Sequence, residues 1–164
     1  MINSIEHNGI VIYRNYVTNP DEMLQYILNA EEQSKVFKWE KAKVVKGNGN
    51  EEDPWRTNEL LHFRKKESLS PIEQQDEGAM ALADVYTNVH YMFEQCLQDY
   101  MTRFNFSLKD SLDQGYQILR YSGGGEYKRH MDDGVKTPRR VSGLLYLNGN
   151  FEGGELNFPY LNYL

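Results

Sequence analysis

The sequence predicts an α+β fold in which helices support an antiparallel sheet. Apolar residues recur at helical spacing in two stretches before Phe104, whereas the later chain consists of short β-branched and aromatic runs separated by glycine-rich turns. Helices followed by antiparallel strands are typical of this class. The length of 164 residues fits a single domain. We expect residues 1–110 to provide the helical support and the first strands, and residues 111–164 to form the strand-rich part.

The N-terminal stretch predicts a strand and then a helix. Gly9 to Tyr13 is a short β-branched run, which favours a strand. Thr18 to Asp21 then provides a cap, a proline for the first turn and an early acid. The apolar residues that follow at helical spacing predict a helix ending near Ser34: Met23, Leu24, Ile27 and Leu28.

The next stretch contains weaker signals. Val36 to Val45 alternates loosely and predicts one or two strands around Trp39. Lys46 to Pro54 is polar and rich in turn formers, which indicates either a solvated loop or a lid over a site. Trp55 and Arg56 follow directly and could contact a substrate, although a tryptophan that anchors the loop is the commoner case.

A second, longer helix is predicted to start at Ser70. Ser70 is suited to the cap, Pro71 to the first helical position and Glu73 to the return hydrogen bond of a capping box. Apolar residues then recur every three or four positions as far as Phe104. His90 and Cys96 lie on or near that face, so we interpret them as packed or boundary residues rather than as a ligand and a nucleophile.

The strand-rich part contains several runs bounded by turns. The predicted strands are Gly115 to Tyr121, Glu126 to Met131, Arg140 to Leu147 and Glu155 to Phe158. The stretch from Asp133 to Pro138 is predicted to be a loop that could contact a substrate.

Composition excludes several classes of protein. The formal net charge of −6 argues against a general nucleic-acid or membrane-surface binder. Cys96 is the single cysteine, so an intramolecular disulfide is excluded. The N-terminus does not resemble a signal peptide, and no apolar run approaches the roughly 20 residues of a spanning helix. We therefore expect a soluble, cytoplasmic protein.

The triplet His130-Met131-Asp132 is the candidate metal site. In an extended strand, residues two positions apart emerge on one face, so the imidazole and the carboxylate would lie together. One nitrogen and one oxygen donor suit a divalent first-row metal, and a second histidine would complete the facial triad of non-haem Fe(II) oxygenases. The alternative is a surface strand on which the histidine and the aspartate form an ordinary hydrogen bond and bind no metal. Tyr121 and Tyr146 could donate hydrogen bonds to a carboxylate in the same pocket, or be ordinary strand tyrosines.

The region from Gln117 to Pro159 resembles the 2-oxoglutarate- and Fe(II)-dependent dioxygenases of the prolyl 4-hydroxylase type. The resemblance implies a double-stranded β-helix, a jelly-roll-like barrel whose front part would be residues 111–164. It is carried by the following residues: Ile118-Leu119-Arg120-Tyr121, the glycine turn, Tyr127, His130-x-Asp132, Arg140, Leu145-Tyr146-Leu147-Asn148 and Gly153-Gly154-Glu155-Leu156-x-Phe158-Pro159.

The resemblance also implies roles for individual residues. His130 and Asp132 look like the first two iron ligands. Tyr146 looks like the tyrosine that hydrogen-bonds the distal carboxylate of 2-oxoglutarate, and Tyr121 resembles a second pocket tyrosine. The implied cofactors are Fe(II), 2-oxoglutarate and ascorbate. The implied reaction uses O2 to hydroxylate an unactivated C–H bond, with a prolyl residue of a peptide or protein as the favoured substrate.

The chain departs from the family pattern after the glycine turn near Gly153. In the family, a second histidine ligand and a basic partner for the distal carboxylate follow that turn, but residues 141–164 contain no His, Lys or Arg. Three explanations compete: a C-terminally incomplete enzyme, a homodimer that completes the sheet, or a non-catalytic jelly-roll binding protein derived from this family. We expect the first. Arg139 or Arg140 could substitute as a carboxylate partner, although a structural or substrate role is favoured for Arg140, and we expect weak metal binding and little or no turnover if the protein ends at Leu164.

Overall fold

Two α-helices form the scaffold in the computed structural model, which describes residues 3–46, 49–52, 54–109, 111–132 and 139–161. Helix α1 spans Pro20–Gln33 and helix α2 spans Glu77–Phe104. Helix α1 has Pro20 in its first turn and Asp21 and Glu22 beside it, where a proline and acids are favoured. The first predicted helix is thereby confirmed.

Helix α2 begins later than the sequence predicts. The capping box does form, since Glu73 Oε2 accepts from the backbone N–H of Ser70 at 2.7 Å and Ser70 Oγ accepts from that of Glu73 at 3.3 Å. It closes only a short 3₁₀ turn at Glu73–Gln75. The cap of α2 is Asp76, whose carboxylate accepts from the backbone N–H of Ala79 at 2.7 Å. The predicted start at Ser70 is therefore wrong, because a second capping residue lies closer to the apolar face.

The core lies where the two helices cross. Gly78 of α2 faces the backbone of Ala30 and Ser34, so closely that a Cβ at that position would overlap their atoms. Its missing side chain lets the helices approach. The buried residues that pack together there come from both helices, from the strand Glu59–His62 and from nearby loops: Ile27, Ala30, Phe37, Leu61, Phe63, Leu69, Ala79, Leu82, Ala83, Val85 and Val89.

Besides the helices, the described residues form three small antiparallel sheets. The strands are β1 (Ser4–His7), β2 (Ile10–Tyr13), β3 (Glu40–Lys41), β4 (Val44–Lys46), β5 (Gly49–Glu51), β6 (Glu59–His62) and β7 (Gln117–Arg120). Strands β1 and β2 pair, as do β4 and β5, and β3, β6 and β7 form a three-stranded sheet in that order. Buried Leu60 and Leu61 of β6 pair with Leu119 and Ile118 of β7, which joins the C-terminal part to the core.

Several strand predictions are confirmed and others are not. Strands β2, β3 and β7 lie where strands are predicted, and β4 overlaps the end of the predicted stretch Val36 to Val45. Strand β5, which forms a hairpin with β4, lies within the predicted loop Lys46 to Pro54. In the described residues from 121 to 132 and from 139 to 161, only single-residue bridges at Tyr127 and Phe158 occur. The predicted strands in those ranges are therefore wrong, because a strand needs a continuous ladder of backbone hydrogen bonds to a partner and single-residue bridges do not provide one.

The observed helices and antiparallel sheets agree with the α+β class. They do not confirm the double-stranded β-helix. The predicted loop from Asp133 to Pro138 lies outside the described residues. None of the helices in the described part of the chain combines the length and the apolar character needed to cross a bilayer.

Candidate metal site

The segment that bears the histidine is held by a short stretch from the N-terminal half. Residues 55–57 run antiparallel to residues 126–128, and Arg56 and Tyr127 form a β-bridge. The backbone N–H of Lys128 donates to the carbonyl of Trp55 at 2.8 Å. We refer to this pairing of residues 55–57 with residues 126–128 as the clasp.

Two side chains reinforce the clasp. Thr57 Oγ1 accepts from the backbone N–H of Glu126 at 2.9 Å and lies 3.2 Å from the carbonyl oxygen of the same residue. Trp55 Nε1 donates to the carbonyl of Arg129 at 3.2 Å. Trp55 therefore anchors the chain, which was the commoner of the two roles considered for it.

The imidazole of His130 is oriented by its neighbours in the sequence. Its ring stacks on the ring of Tyr127, with centroids 3.6 Å apart and planes 13° apart. Its Nδ1 lies 2.8 Å from the carbonyl oxygen of Lys128. Because a carbonyl oxygen only accepts, Nδ1 carries the hydrogen, and Nε2 of the neutral ring keeps its lone pair.

The carboxylate of Asp132 lies beside that lone pair. His130 Nε2 is 3.4 Å from Asp132 Oδ1, and each side chain exposes about a third of its surface, 34% and 37%. Arg139 Nη1 also lies 3.0 Å from Oδ1, and Ser142 Oγ donates to Oδ2 at 2.6 Å. Partial burial raises the pKa of Asp132, but the Ser142 hydrogen bond and the charge of Arg139 outweigh it and hold the pKa below its ordinary value.

This pair fits part of a metal site. In the neutral tautomer, His130 Nε2 and Asp132 Oδ1 are both acceptors, and atoms 3.4 Å apart can both reach one cation at the usual 2.0 to 2.2 Å. A nitrogen and an oxygen donor suit Fe(II). Among the described residues, no group of three or more His, Cys, Asp or Glu side chains could hold a metal. A cation would also have to share Oδ1 with Arg139 or displace it.

The other described histidines lie in different environments. His62 Nε2 lies 3.1 Å from Glu40 Oε1. His90 Nδ1 lies 2.9 Å from the Tyr116 hydroxyl and its side chain is about half exposed, so it is a boundary residue, as expected.

The predicted pocket tyrosines lie close to the clasp. Burial raises the pKa of Tyr121, and the nearby hydroxyls of Tyr127 and Tyr146 raise it further, while the guanidinium of Arg56 opposes them. The structure thus brings Tyr121 within electrostatic reach of Tyr146 and of Arg56. Both tyrosines are about half exposed, 48% and 56%, so a ligand can reach them.

A comparison with protein families matches the part of the chain that holds these residues. Residues 116–162 match the model of a family described as the 2OG-Fe(II) oxygenase superfamily. The match supports this superfamily. It includes Tyr121, His130, Asp132 and Tyr146, and membership would imply Fe(II), 2-oxoglutarate and dioxygenase activity. It does not distinguish a prolyl 4-hydroxylase from other members. No curated protein and no solved structure matches the chain.

Sequence reasoning missed three features of the site. The clasp joins segments about 70 positions apart, and only the later segment lies in a predicted strand, so the pairing itself has no signal in the sequence. Ser142 carries no motif at all. Arg139 was considered as a partner for a ligand carboxylate, but in the structure it pairs with the carboxylate of Asp132.

Proposed function

We propose that this protein is an Fe(II)- and 2-oxoglutarate-dependent dioxygenase that hydroxylates a prolyl residue of a peptide or protein. The observation that carries the proposal is the convergence of His130 Nε2 and Asp132 Oδ1, 3.4 Å apart, inside the segment that matches the oxygenase superfamily. The reaction would convert 2-oxoglutarate, O2 and a C–H bond into succinate, CO2 and an alcohol.

Each described residue would have a defined part in this reaction. His130 and Asp132 would hold Fe(II), which with 2-oxoglutarate supplies the activation of O2. The Ser142 hydroxyl would fix Asp132 by donating to Oδ2, and the Lys128 carbonyl would fix His130 by accepting from Nδ1. Outer-shell groups commonly orient metal ligands in this way. Tyr121 and Tyr146 would donate hydrogen bonds to a carboxylate of 2-oxoglutarate.

The choice of a prolyl substrate rests on the resemblance over Gln117 to Pro159. The structure is compatible with a large substrate, because Tyr121 and Tyr146 are half exposed and the His–Asp pair faces solvent in part. Aromatic side chains of this kind are common in surfaces that bind proline-rich peptides. The substrate class is the part of the proposal that depends least on the geometry of the metal pair.

A non-catalytic binding protein is the second candidate. Two observations favour it: Arg139 already pairs with Asp132, and the described residues offer no third metal ligand. Under this alternative the His–Asp pair would be an ordinary hydrogen-bonded cluster, and the chain would be indifferent to its loss.

The two candidates are separated by an anaerobic titration with Fe(II), followed by an assay of succinate formed from 2-oxoglutarate in the presence of O2 and a proline-containing peptide. The proposal predicts saturable Fe(II) binding and succinate formation, both lost in His130→Ala and in Asp132→Ala. His62→Ala is the matched control, since its imidazole also lies beside a carboxylate, that of Glu40, but in another part of the fold. Equal Fe(II) affinity and equal succinate formation in His130→Ala, Asp132→Ala and His62→Ala would favour the binding protein.

A further inference from the structure

The side chain of Gln114 reaches the arginine that lies beside the metal pair. Gln114 is placed between helix α2 and strand β7, and its Oε1 accepts from Nε of Arg139 at 2.8 Å. The Nη1 of the same guanidinium lies 3.0 Å from Asp132 Oδ1. Gln114 lies just outside residues 116–162, which match the oxygenase superfamily. One guanidinium therefore links a candidate metal ligand to a residue that the family match does not include.

The backbone on both sides of Gln114 is anchored. Asp113 Oδ1 accepts from the backbone N–H of Gly115 at 2.8 Å. Gly115 has a φ of +77°, a conformation that glycine adopts easily and other residues rarely do. The ring of Tyr116 stacks on that of Phe93 in helix α2, with centroids 5.3 Å apart and planes 8° apart. The amide of Gln114 is thus presented to Arg139 from a fixed turn.

This hydrogen bond strengthens an ion pair that would otherwise be weak. The side chains of Arg139 and Asp132 are 47% and 37% exposed. Exposed ion pairs contribute little, because ordering two side chains costs conformational entropy. Here Gln114 already orders the guanidinium, and the Ser142 hydroxyl already orders the carboxylate by donating to Oδ2. The contact between Arg139 and Asp132 therefore forms with less loss of entropy.

The guanidinium lies where it opposes a metal. It contacts Oδ1 of Asp132, and this atom is also the one that lies 3.4 Å from Nε2 of His130. A cation bound by both of those atoms would lie close to the guanidinium, and two positive charges at short range repel each other. Arg139 therefore acts as an internal cation that neutralises Asp132 in the metal-free protein.

We propose that Gln114 is a positioning residue that holds Arg139 on Asp132 and thereby lowers the affinity of the metal pair for Fe(II). The inference rests on the proposed function, because it assumes that His130 and Asp132 bind Fe(II). When the metal binds, the guanidinium leaves Oδ1 while its Nε stays on Gln114 Oε1. Gln114 thus sets how easily the site exchanges its internal cation for a metal.

The test measures Fe(II) affinity by anaerobic calorimetry in the wild type, Gln114→Met, Arg139→Ala and the double variant. Methionine keeps the length of the side chain but removes the hydrogen-bond acceptor. We expect Gln114→Met to bind Fe(II) about 2- to 5-fold more tightly, the range of one partly exposed hydrogen bond. In the Arg139→Ala background the same substitution should have no effect, because the role of Gln114 requires the arginine. An equal gain in both backgrounds would contradict the proposal.

A second measurement does not depend on metal affinity. The exchange of the Arg139 Nε–H with water is followed by nitrogen-15 NMR, and the signal is assigned by its absence in Arg139→Ala. We expect slow exchange in the wild type, with or without Zn(II) as a diamagnetic metal, and faster exchange in Gln114→Met. Gln25→Met is the matched control, because Gln25 also makes a side-chain hydrogen bond, to Asn29 at 2.9 Å, but in helix α1. It should change neither the Fe(II) affinity nor the signal.

Different outcomes contradict different claims. If the wild type binds no Fe(II), the proposed function fails and this inference fails with it. If the wild type binds Fe(II) and Gln114→Met binds it equally well or more weakly, only the role of Gln114 is wrong. If the Arg139 Nε–H exchanges equally fast in the wild type and in Gln114→Met, Gln114 does not hold the arginine, and the proposal is wrong even where the affinity changes.

Discussion

At the scale of single residues, the geometry of His130 is set by groups that have no ligand role themselves. Tyr127 stacks on the imidazole and the Lys128 carbonyl accepts from Nδ1. The sequence predicted that His130 and Asp132 lie together because residues two apart share a strand face. They do lie together, although no strand forms there, because these local contacts turn Nε2 towards the carboxylate.

Tyr127 should therefore influence metal affinity through its ring and not through its hydroxyl. We expect Tyr127→Leu to weaken Fe(II) binding about 3- to 10-fold, the range expected for the loss of one aromatic contact, and Tyr127→Phe to bind as the wild type does. Anaerobic calorimetry measures both. Tyr100→Leu is the control, because the ring of Tyr100 also contacts another aromatic ring, that of Phe104 in helix α2, with centroids 4.6 Å apart. An equal loss in the Phe and Leu variants would show that the stack has no positioning role.

Arg139 should compete with the metal for Asp132. Its guanidinium lies 3.0 Å from Oδ1, the atom that also faces His130. Removing a cation from a partly buried carboxylate favours the binding of another cation. We expect Arg139→Ala to bind Fe(II) about 3- to 10-fold more tightly, by an amount within the range of partly exposed ion pairs. Arg103→Ala, which removes a guanidinium from Asp99, should leave the affinity unchanged; weaker binding in Arg139→Ala would mean that the arginine orients the ligand.

At the scale of secondary-structure elements, the sequence predicted the features that depend on interactions between residues close together in the chain. Strand β2, helix α1 and the end of α2 lie close to their predicted positions, because periodicity, a proline and the turn at Asn105 act over a few residues. The start of α2 was misjudged because two caps compete, and the clasp was missed because it is a long-range pairing. Periodicity carries no information about which distant backbone groups will meet.

Thr57 should stabilise the clasp through its hydroxyl. Thr57→Val keeps the shape of the side chain but removes the contacts to both backbone groups of Glu126. We expect a loss of about 1 to 2 kcal/mol in the free energy of unfolding, since one backbone donor loses its partner. Urea denaturation measures this value, and Fe(II) affinity should fall as well. Thr102→Val is the control, because its hydroxyl contacts only the Gln98 carbonyl within α2. If both variants lose the same stability and neither loses affinity, the clasp does not support the site.

Asp76 should make the stability of the helix pair depend on pH. Partial burial raises its pKa, but hydrogen bonds from the backbone N–H groups of Lys35 and Ala79 and from the Ser34 hydroxyl outweigh burial and hold the pKa below its ordinary value. The stabilisation is therefore complete above the unfolded-state pKa of about 4 and is lost as the pH falls through the folded-state value.

The comparison of wild type with Asp76→Asn isolates this effect, because asparagine also caps helices but does not titrate. Urea denaturation at pH 7 and at pH 3 should show that the wild type loses more free energy of unfolding on acidification than the variant does. Identical losses in the two proteins would show that Asp76 does not stabilise the helix start through its charge.

At the scale of the whole molecule, the core and the candidate site lie in different parts of the chain. Most buried residues come from the helices and the strands between them, whereas the segment that matches the oxygenase superfamily contributes strand β7 and partly buried side chains. Large apolar side chains remain exposed in that segment, among them Met131, Leu144 and Phe151. A homodimer that covers them stays a prediction, which sedimentation analysis can test.

The sequence could predict that His130 and Asp132 lie together, and that the region from Gln117 to Pro159 resembles the 2-oxoglutarate- and Fe(II)-dependent dioxygenases, because each depends on a short pattern or an ordered series of residues. It could not indicate that Arg56 lies beside Tyr127, nor that Arg139 and Ser142 contact Asp132, since these contacts depend on how the chain folds back. The double-stranded β-helix remains an expectation from the family match.

The central claim is that His130 and Asp132 bind Fe(II) and, through it, 2-oxoglutarate. The most direct measurement is an anaerobic titration of the purified protein with 2-oxoglutarate, with and without Fe(II), repeated on Asp132→Ala. We predict saturable binding of 2-oxoglutarate to the wild type only when Fe(II) is present, and none to the variant. Binding that does not require the metal, or that survives in Asp132→Ala, would contradict the claim.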